Sequence, residues 1–237
     1  MILTQFAVHP ARIGTVLRYG VRQAWEPAQR MEITWIGGSC FRFRGRDGAL
    51  VTDPQTSGRT RRSTFPKADL VAITNPEVPP GAERLVLPNH DHRDPYVAAG
   101  PGEYDVSGVY LHGIAGPRSP GGRPGQTVYA LDIDRVTVAL IPSLACEMTN
   151  EMLEELGTAQ VLVVNADDGV ERVVNLVNRI EPNIVVPFGQ SSNGQSSWLD
   201  AAKALNEAEP TPDTSVNVSL SNLPEPVTTR VLAQRAA

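Results

Sequence analysis

At 237 residues the chain can enclose one sizeable core, and its 41% hydrophobic and 20% charged residues are ordinary for a globular protein in water. A net charge of -5 gives no general attraction to nucleic acid or to an anionic membrane surface. The two cysteines, Cys40 and Cys146, are too few for a disulfide framework, no apolar run approaches the ~20 residues of a membrane span, and the first residues lack the pattern of a secretory signal, so a cytoplasmic location is expected.

Residues 1–30 read as an N-terminal extension. Ile13, Val16, Leu17, Val21, Ala24 and Trp25 recur at helical spacing with Arg12, Arg18 and Arg22 on other faces, which predicts an amphipathic helix interrupted by Gly14 and Gly20. It either folds back on its own domain or serves as a basic arm for a partner or an anionic surface. From Met31 the pattern becomes strand-like: 32–37, a Gly-Gly-Ser corner, 40–44, an Arg46-Asp47-Gly48 turn and 49–52. A basic loop (Arg59, Arg61, Arg62, then Lys67) precedes an apolar run, 68–74, that ends in Asn75-Pro76-Glu77-Val78-Pro79-Pro80. Further strands are expected at 84–87, 109–114, 127–133 and 136–141, and Gly116 to Gly125 is a surface loop.

The second half alternates. Helices are expected at 150–156 (opened by Asn150 and Glu151, closed by Gly157), at 169–180 and at 198–208. Strands are expected at 160–165, 184–188, 215–220 and 228–234. A block of strands followed by alternation predicts an α/β layered fold, sheet on sheet with helices outside, in a single domain over 31–237.

Strand ends are where such folds place chemistry. His90-Asp91-His92-Arg93-Asp94 offers two imidazoles and a carboxylate for one zinc, one ligand short of a tetrahedron; the bland reading is an exposed polar turn between Asn89 and Pro95. Glu103, in Gly100-Pro101-Gly102-Glu103-Tyr104, is of the type of a catalytic carboxylate, and the bland reading is a residue that caps or orders a tight turn. Ser143 has no histidine in view to act as its base, and Cys146 has no neighbour that would lower its pKa.

Several segments together resemble one family. Met31–Phe41 (MEITWIGGSCF), Val51–Pro54 (VTDP), Gly100–Val106 (GPGEYDV), Thr149–Gly157 (TNEMLEELG), Glu181–Pro187 (EPNIVVP) and Leu223–Pro226 (LPEP) are similar to the metallo-β-lactamase-fold hydrolases, in particular to a short bacterial branch like the ascorbate-6-phosphate lactonases. The resemblance spans roughly 31–234 and implies an αββα sandwich. It also implies one or two metal ions, usually zinc, activating water against an ester, lactone, amide or phosphodiester.

The family's ligand positions are nevertheless occupied differently. Its H-x-H-x-D-H group aligns with Asn75, Glu77, Pro79 and Pro80, a later histidine with Arg118, the bridging aspartate with Ser143, the last histidine with Gly189, and a corner histidine with Gly38. Asp53 is kept. The resemblance therefore implies a non-catalytic pseudo-hydrolase without a cofactor, serving as a binding or assembly subunit with a protein partner or a second copy of itself. Two alternatives stand beside it. One is a hydrolase with a rebuilt zinc centre on His90, His92 and Asp94; the other is a protein that binds an anionic small molecule in an emptied pocket lined by Asn75, Glu77, Arg118, Ser143 and Gln190.

Overall fold

A computed structural model of the chain describes residues 30–55, 64–90, 93–116, 125–145, 147–192, 195–205 and 211–234. The predicted N-terminal helix, Arg59, Arg61, Arg62, His92, Arg118 and Cys146 lie outside them.

The chain opens with β1 (Met31–Gly37), β2 (Cys40–Arg44) and β3 (Ala49–Thr52), followed by β4 (Lys67–Ala68), β5 (Leu70–Ile73), β6 (Leu87–Pro88) and β7 (Tyr96–Ala99). Next come β8 (Gly102–Val106), β9 (Val109–Ala115), β10 (Thr127–Ile133) and β11 (Val136–Ile141). The alternating half contains α1 (Asn150–Leu156), β12 (Val161–Asn165), α2 (Val170–Ile180) and β13 (Ile184–Phe188). It closes with β14 (Ser191–Ser192), β15 (Gln195–Ser196), α3 (Ser197–Leu205), β16 (Val216–Val218) and β17 (Thr228–Thr229).

Two mixed sheets face each other. The first has the order β16-β1-β2-β3-β5-β7 and the second β17-β13-β12-β11-β10-β9-β8. Alternation builds the core between them: Met31, Ile33, Trp35, Phe41 and Phe43 point inward from the first sheet against Tyr129, Leu131, Val138, Val163 and Phe188 of the second. Burying Phe41 and Phe43 completely stabilises the fold by about 1.5–3 kcal/mol each. Strands β11 to β13 are covered on both faces and so read as unbroken apolar runs. Their outer side carries Ala139, Ile141, Leu162, Val164 and Val185 against Met152 and Leu156 of α1, Val173 and Leu176 of α2, and Ala201 of α3.

The layered α/β sandwich is the expected architecture. Outside the first sheet, among the described residues, the cover is a single 3-10 turn (Ala82–Leu85) and the short β4–β6 pair, with Val86 and Ala68 on Val51 and Val71. The expected strand at 84–87 is therefore mostly that turn. The late strand expected at 228–234 shrinks to β17, with Leu232 making only an isolated bridge to Asp213. Helix α1 is opened by Thr149, whose hydroxyl accepts from the Met152 N–H at 3.3 Å, not by Asn150; Gly157 closes it as expected, at φ +70°.

Tyr129 fastens the two sheets. Its buried hydroxyl accepts from the Gly100 N–H at 3.2 Å and has the carbonyls of Ile73, Gly100 and Ala98 within 3.1–3.3 Å. Burial pushes the phenol up to about 12.

Candidate functional site

The strand ends of both sheets meet on one rim. Strands β11, β12 and β13 run parallel and finish together at Ile141, Asn165 and Phe188, while β3 and β5 run parallel in the other sheet. The Thr127 N–H at the start of β10 donates to the Thr74 carbonyl at 2.8 Å, and Tyr129 pairs with Leu140, which brings the end of β5 beside the end of β11. Phe41 meets Phe188 edge-on at 5.0 Å, and Trp35 meets Trp198 at 6.2 Å. The rim thus gathers Gly37–Gly38, Asp53, Asn75, Ser143, Asp167–Asp168 and Gly189–Gln190.

Asp53 sits at φ +36°, unusual for a residue with a side chain, and is 3% exposed. Its carboxylate turns into the protein, accepting from the Thr74 N–H at 2.7 Å, from the Thr74 hydroxyl and, at 3.5 Å, from the Asn75 N–H. Burial outweighs these bonds and holds the carboxyl above its ordinary value of 3.8. The folded protein therefore binds this proton more tightly than the unfolded chain. The stability it lends is fully present below the unfolded value and is lost as pH rises through the folded one. Urea unfolding between about pH 4 and pH 7 is expected to show wild-type stability falling relative to Asp53→Asn as pH rises; parallel pH profiles for the two proteins would refute this.

Asn75 closes a polar turn. Its side-chain oxygen accepts from the Glu77 N–H at 2.9 Å and its carbonyl accepts from the Val78 N–H at 3.0 Å. Glu77 is carried on this turn, exposed to solvent. Ser143 donates to Asp168 at 2.9 Å, and the same Asp168 oxygen accepts from the Leu144 N–H at 2.6 Å. Asp167 accepts from the Gln190 N–H at 2.8 Å and from the Ser197 hydroxyl at 2.6 Å. The Gln190 contact on the rim is made by its backbone, and the residue is exposed.

Two positions have no room for a side chain. A Cβ on Gly189 would lie 2.3 Å from Ser197 Oγ and 2.5 Å from Asp167 Oδ1. A Cβ on Gly38, at φ +53°, would lie 2.6 Å from the Gln55 amide nitrogen, which donates to the Gly37 carbonyl. Among the described residues no three His, Cys, Asp or Glu side chains converge as a metal-holding group. The described donors at the rim do not assemble a site for a catalytic ion: Asp53 is buried and turned into the protein, and Asp167 and Asp168 each give one oxygen to two neighbouring donors instead of converging with a third ligand.

His90 lies elsewhere. Its Nδ1 is 2.9 Å from Asp69 Oδ1, and Asp69 also accepts from the Ala49 N–H at 2.9 Å and the Asn89 amide at 2.8 Å. Asp69 precedes β5 and Asn75 follows it, so His90 sits at the opposite end of that strand from the rim; its side chain is 52% exposed and Asp94 is also exposed. Glu103 is an outward residue of β8 and not a turn-ordering group. Beside the rim, Arg172 and Arg179 of α2 donate to the carbonyls of Leu144, Ala145 and Met148, next to an open cavity of about 350 Å³.

Asp167, Asp168, Ser197 and Gln55 escaped the sequence reading. The signal for the first two was available: an Asp-Asp pair directly after the buried strand 160–165, the same kind of position as Asn75.

Sandwich layering and strand-end rim define a class of α/β proteins, and a sequence profile narrows it. Residues 32–189 match the profile of the Beta-lactamase superfamily domain, and the chain belongs to that family. Solved structures repeat the fold. A candidate Zn-dependent hydrolase of the metallo-β-lactamase superfamily from Thermotoga maritima is similar with 21% identity and a TM-score of 0.64, over 85% of this chain and 98% of that one. Igni18, a metallo hydrolase from Ignicoccus hospitalis, is 14% identical with a TM-score of 0.55, over 81% and 99%. CmlA, a diiron beta-hydroxylase from Streptomyces venezuelae, is 11% identical with a TM-score of 0.56, over 82% of this chain and 55% of that one. At such identities the likeness is one of fold. No curated protein matches the chain.

Proposed function

We propose that this chain is a non-catalytic member of its family, a pseudo-hydrolase that acts as a binding or assembly subunit for a protein partner or a second copy. The observation that carries the reading is the occupancy of the rim. Where relatives by resemblance bring imidazoles, this chain has a turn-closing Asn75 and a Gly189 whose side-chain space is filled by Ser197 and Asp167. The aspartates on the rim tie neighbouring loops together, a task that a shared ion performs wherever several loops supply its ligands. A fold that serves both a hydrolase and a hydroxylase elsewhere does not dictate chemistry here.

The other readings draw less support. A zinc centre on His90, His92 and Asp94 would stand at the far end of β5 and would compete with Asp69 for His90. A pocket for an anionic small molecule would lie beside the carboxylates of Asp167 and Asp168, which repel it, while Arg118, the cation of that reading, lies outside the described residues.

Elemental analysis of protein purified without added metal should give well under about 0.1 equivalent of zinc, iron or manganese, and EDTA should leave the melting temperature unchanged. About one equivalent of metal retained through gel filtration, with a lower melting temperature after chelation, overturns the proposal.

A further inference from the structure

Helix α2 and the loop between β11 and α1 enclose the open cavity of about 350 Å³. Three side chains fix that loop in place. Asp168 accepts from the Ser143 hydroxyl and the Leu144 N–H, and Arg172 donates to the carbonyls of Leu144 and Ala145. Arg179 donates to the Met148 carbonyl at 2.8 Å and to Asn150 Oδ1 at 2.9 Å. The wall of the cavity is therefore built before a ligand arrives, as in most small-molecule sites. Leu144, Met148 and Leu176, all buried, form an apolar floor.

Four charged side chains line the same space: Arg172 and Arg179 on one face of α2, about 10 Å apart along its axis, with Glu171 and Glu147. They do not neutralise one another. Among the described residues neither arginine makes an ion pair, and both guanidiniums are engaged with uncharged oxygens instead. Arg172 holds the loop through Nη1 alone, which leaves its Nε–Nη2 edge without a partner among the described residues. Such an edge presents two parallel donors that match the two oxygens of a carboxylate. Glu147 and Glu171 are exposed, and their carboxylates make no side-chain hydrogen bond among the described residues.

This lining is selective. A simple anion meets the two glutamates, a simple cation meets the two arginines, and a neutral body covers both kinds of charge without pairing either. A ligand with both charges next to a short apolar group satisfies each wall at once.

We infer that the cavity binds a free amino acid with an aliphatic side chain. Its carboxylate takes the open edge of Arg172, its ammonium group is held by Glu171 and Glu147, and its side chain lies over Leu144, Met148 and Leu176. Both heads are required in one small molecule, which a peptide terminus, carrying only one of them, does not supply. The site stands between a helix and a loop outside the strand-end rim, so it does not depend on what the rim holds.

Titration calorimetry of the full chain with L-leucine, 4-methylpentanoate and L-leucinamide tests the inference, because these share an apolar body and differ in their head charges. Leucine is expected to bind with a sub-millimolar Kd. Each of the others should bind at least about tenfold more weakly, having lost one charged contact. E147Q/E171Q alters two exposed side chains that hold nothing else, and should weaken leucine about tenfold while leaving 4-methylpentanoate unchanged or tighter. R172Q should weaken leucine and 4-methylpentanoate alike; if that variant fails to fold, the ligand series and the glutamine pair decide. Equal affinity for leucine and 4-methylpentanoate overturns the inference, as does leucine binding that E147Q/E171Q does not change. No leucine binding at about 10 mM overturns it as well.

Discussion

Asp53→Ala is expected to lower the unfolding free energy by about 3 kcal/mol, the largest loss from a single truncation on the rim. The side chain is the acceptor for two donors of Thr74, its N–H at 2.7 Å and its hydroxyl, and Thr74 is itself buried. Removing the acceptor leaves both donors without a partner in a place water does not reach, and an orphaned buried donor costs about 1–3 kcal/mol. The open space left by the carboxylate adds to it. For a chain of this size the melting temperature should fall by about 6–12 °C. Asp53→Asn, which keeps an oxygen for the Thr74 N–H, should recover most of the loss. A drop below about 1 kcal/mol for the alanine variant would mean that Asp53 is not the fastener between β3 and β5.

Gly189→His is the second. Restoring an imidazole to the end of β13 forces its Cβ against Ser197 Oγ and Asp167 Oδ1. Both atoms can move only by giving up the bonds Asp167 makes to Ser197 and to the Gln190 N–H. Overpacking together with those losses should cost about 2–4 kcal/mol, read by chemical denaturation with and without zinc. Asn75→His, on a half-buried turn, should cost about 1 kcal/mol or less. Neither variant should gain stability from zinc. A Gly189→His protein that melts like the wild type and is stabilised by zinc would show that the rim has kept room for a ligand.

How much of this was visible in the amino-acid pattern varied with burial. Strands 127–133, 136–141 and 184–188 and the helix at 150–156 have the predicted limits, because their apolar periodicity is complete and turn residues bound them. Strands β7 and β8 went unread: Tyr96–Ala99 and Gly102–Val106 sit at open edges, flanked by Pro95, Gly100 and Pro101, and are half exposed, so they carry little periodic signal. Helix α2 buries Val173 and Val177 as its apolar period predicts, with Val170 and Ile180 partly buried against the same cluster, and adds Leu176 to that face. At the site, the positions Asn75, Ser143 and Gly189 were legible through resemblance. Asp167 and Asp168 were marked only by their place after a buried strand; their partners, Ser143 and Gln190, lie 25 and 23 residues away, a relation that no local pattern encodes.

The crowding around Gly189 also bears on ancestry and descent. On the proposed reading, an imidazole can return to that position only after Asp167 and Ser197 have both given way, and each of those steps alone loosens a loop without any compensating gain. Selection acting one codon at a time meets a valley in that direction, so the departure from metal chemistry behaves as a ratchet.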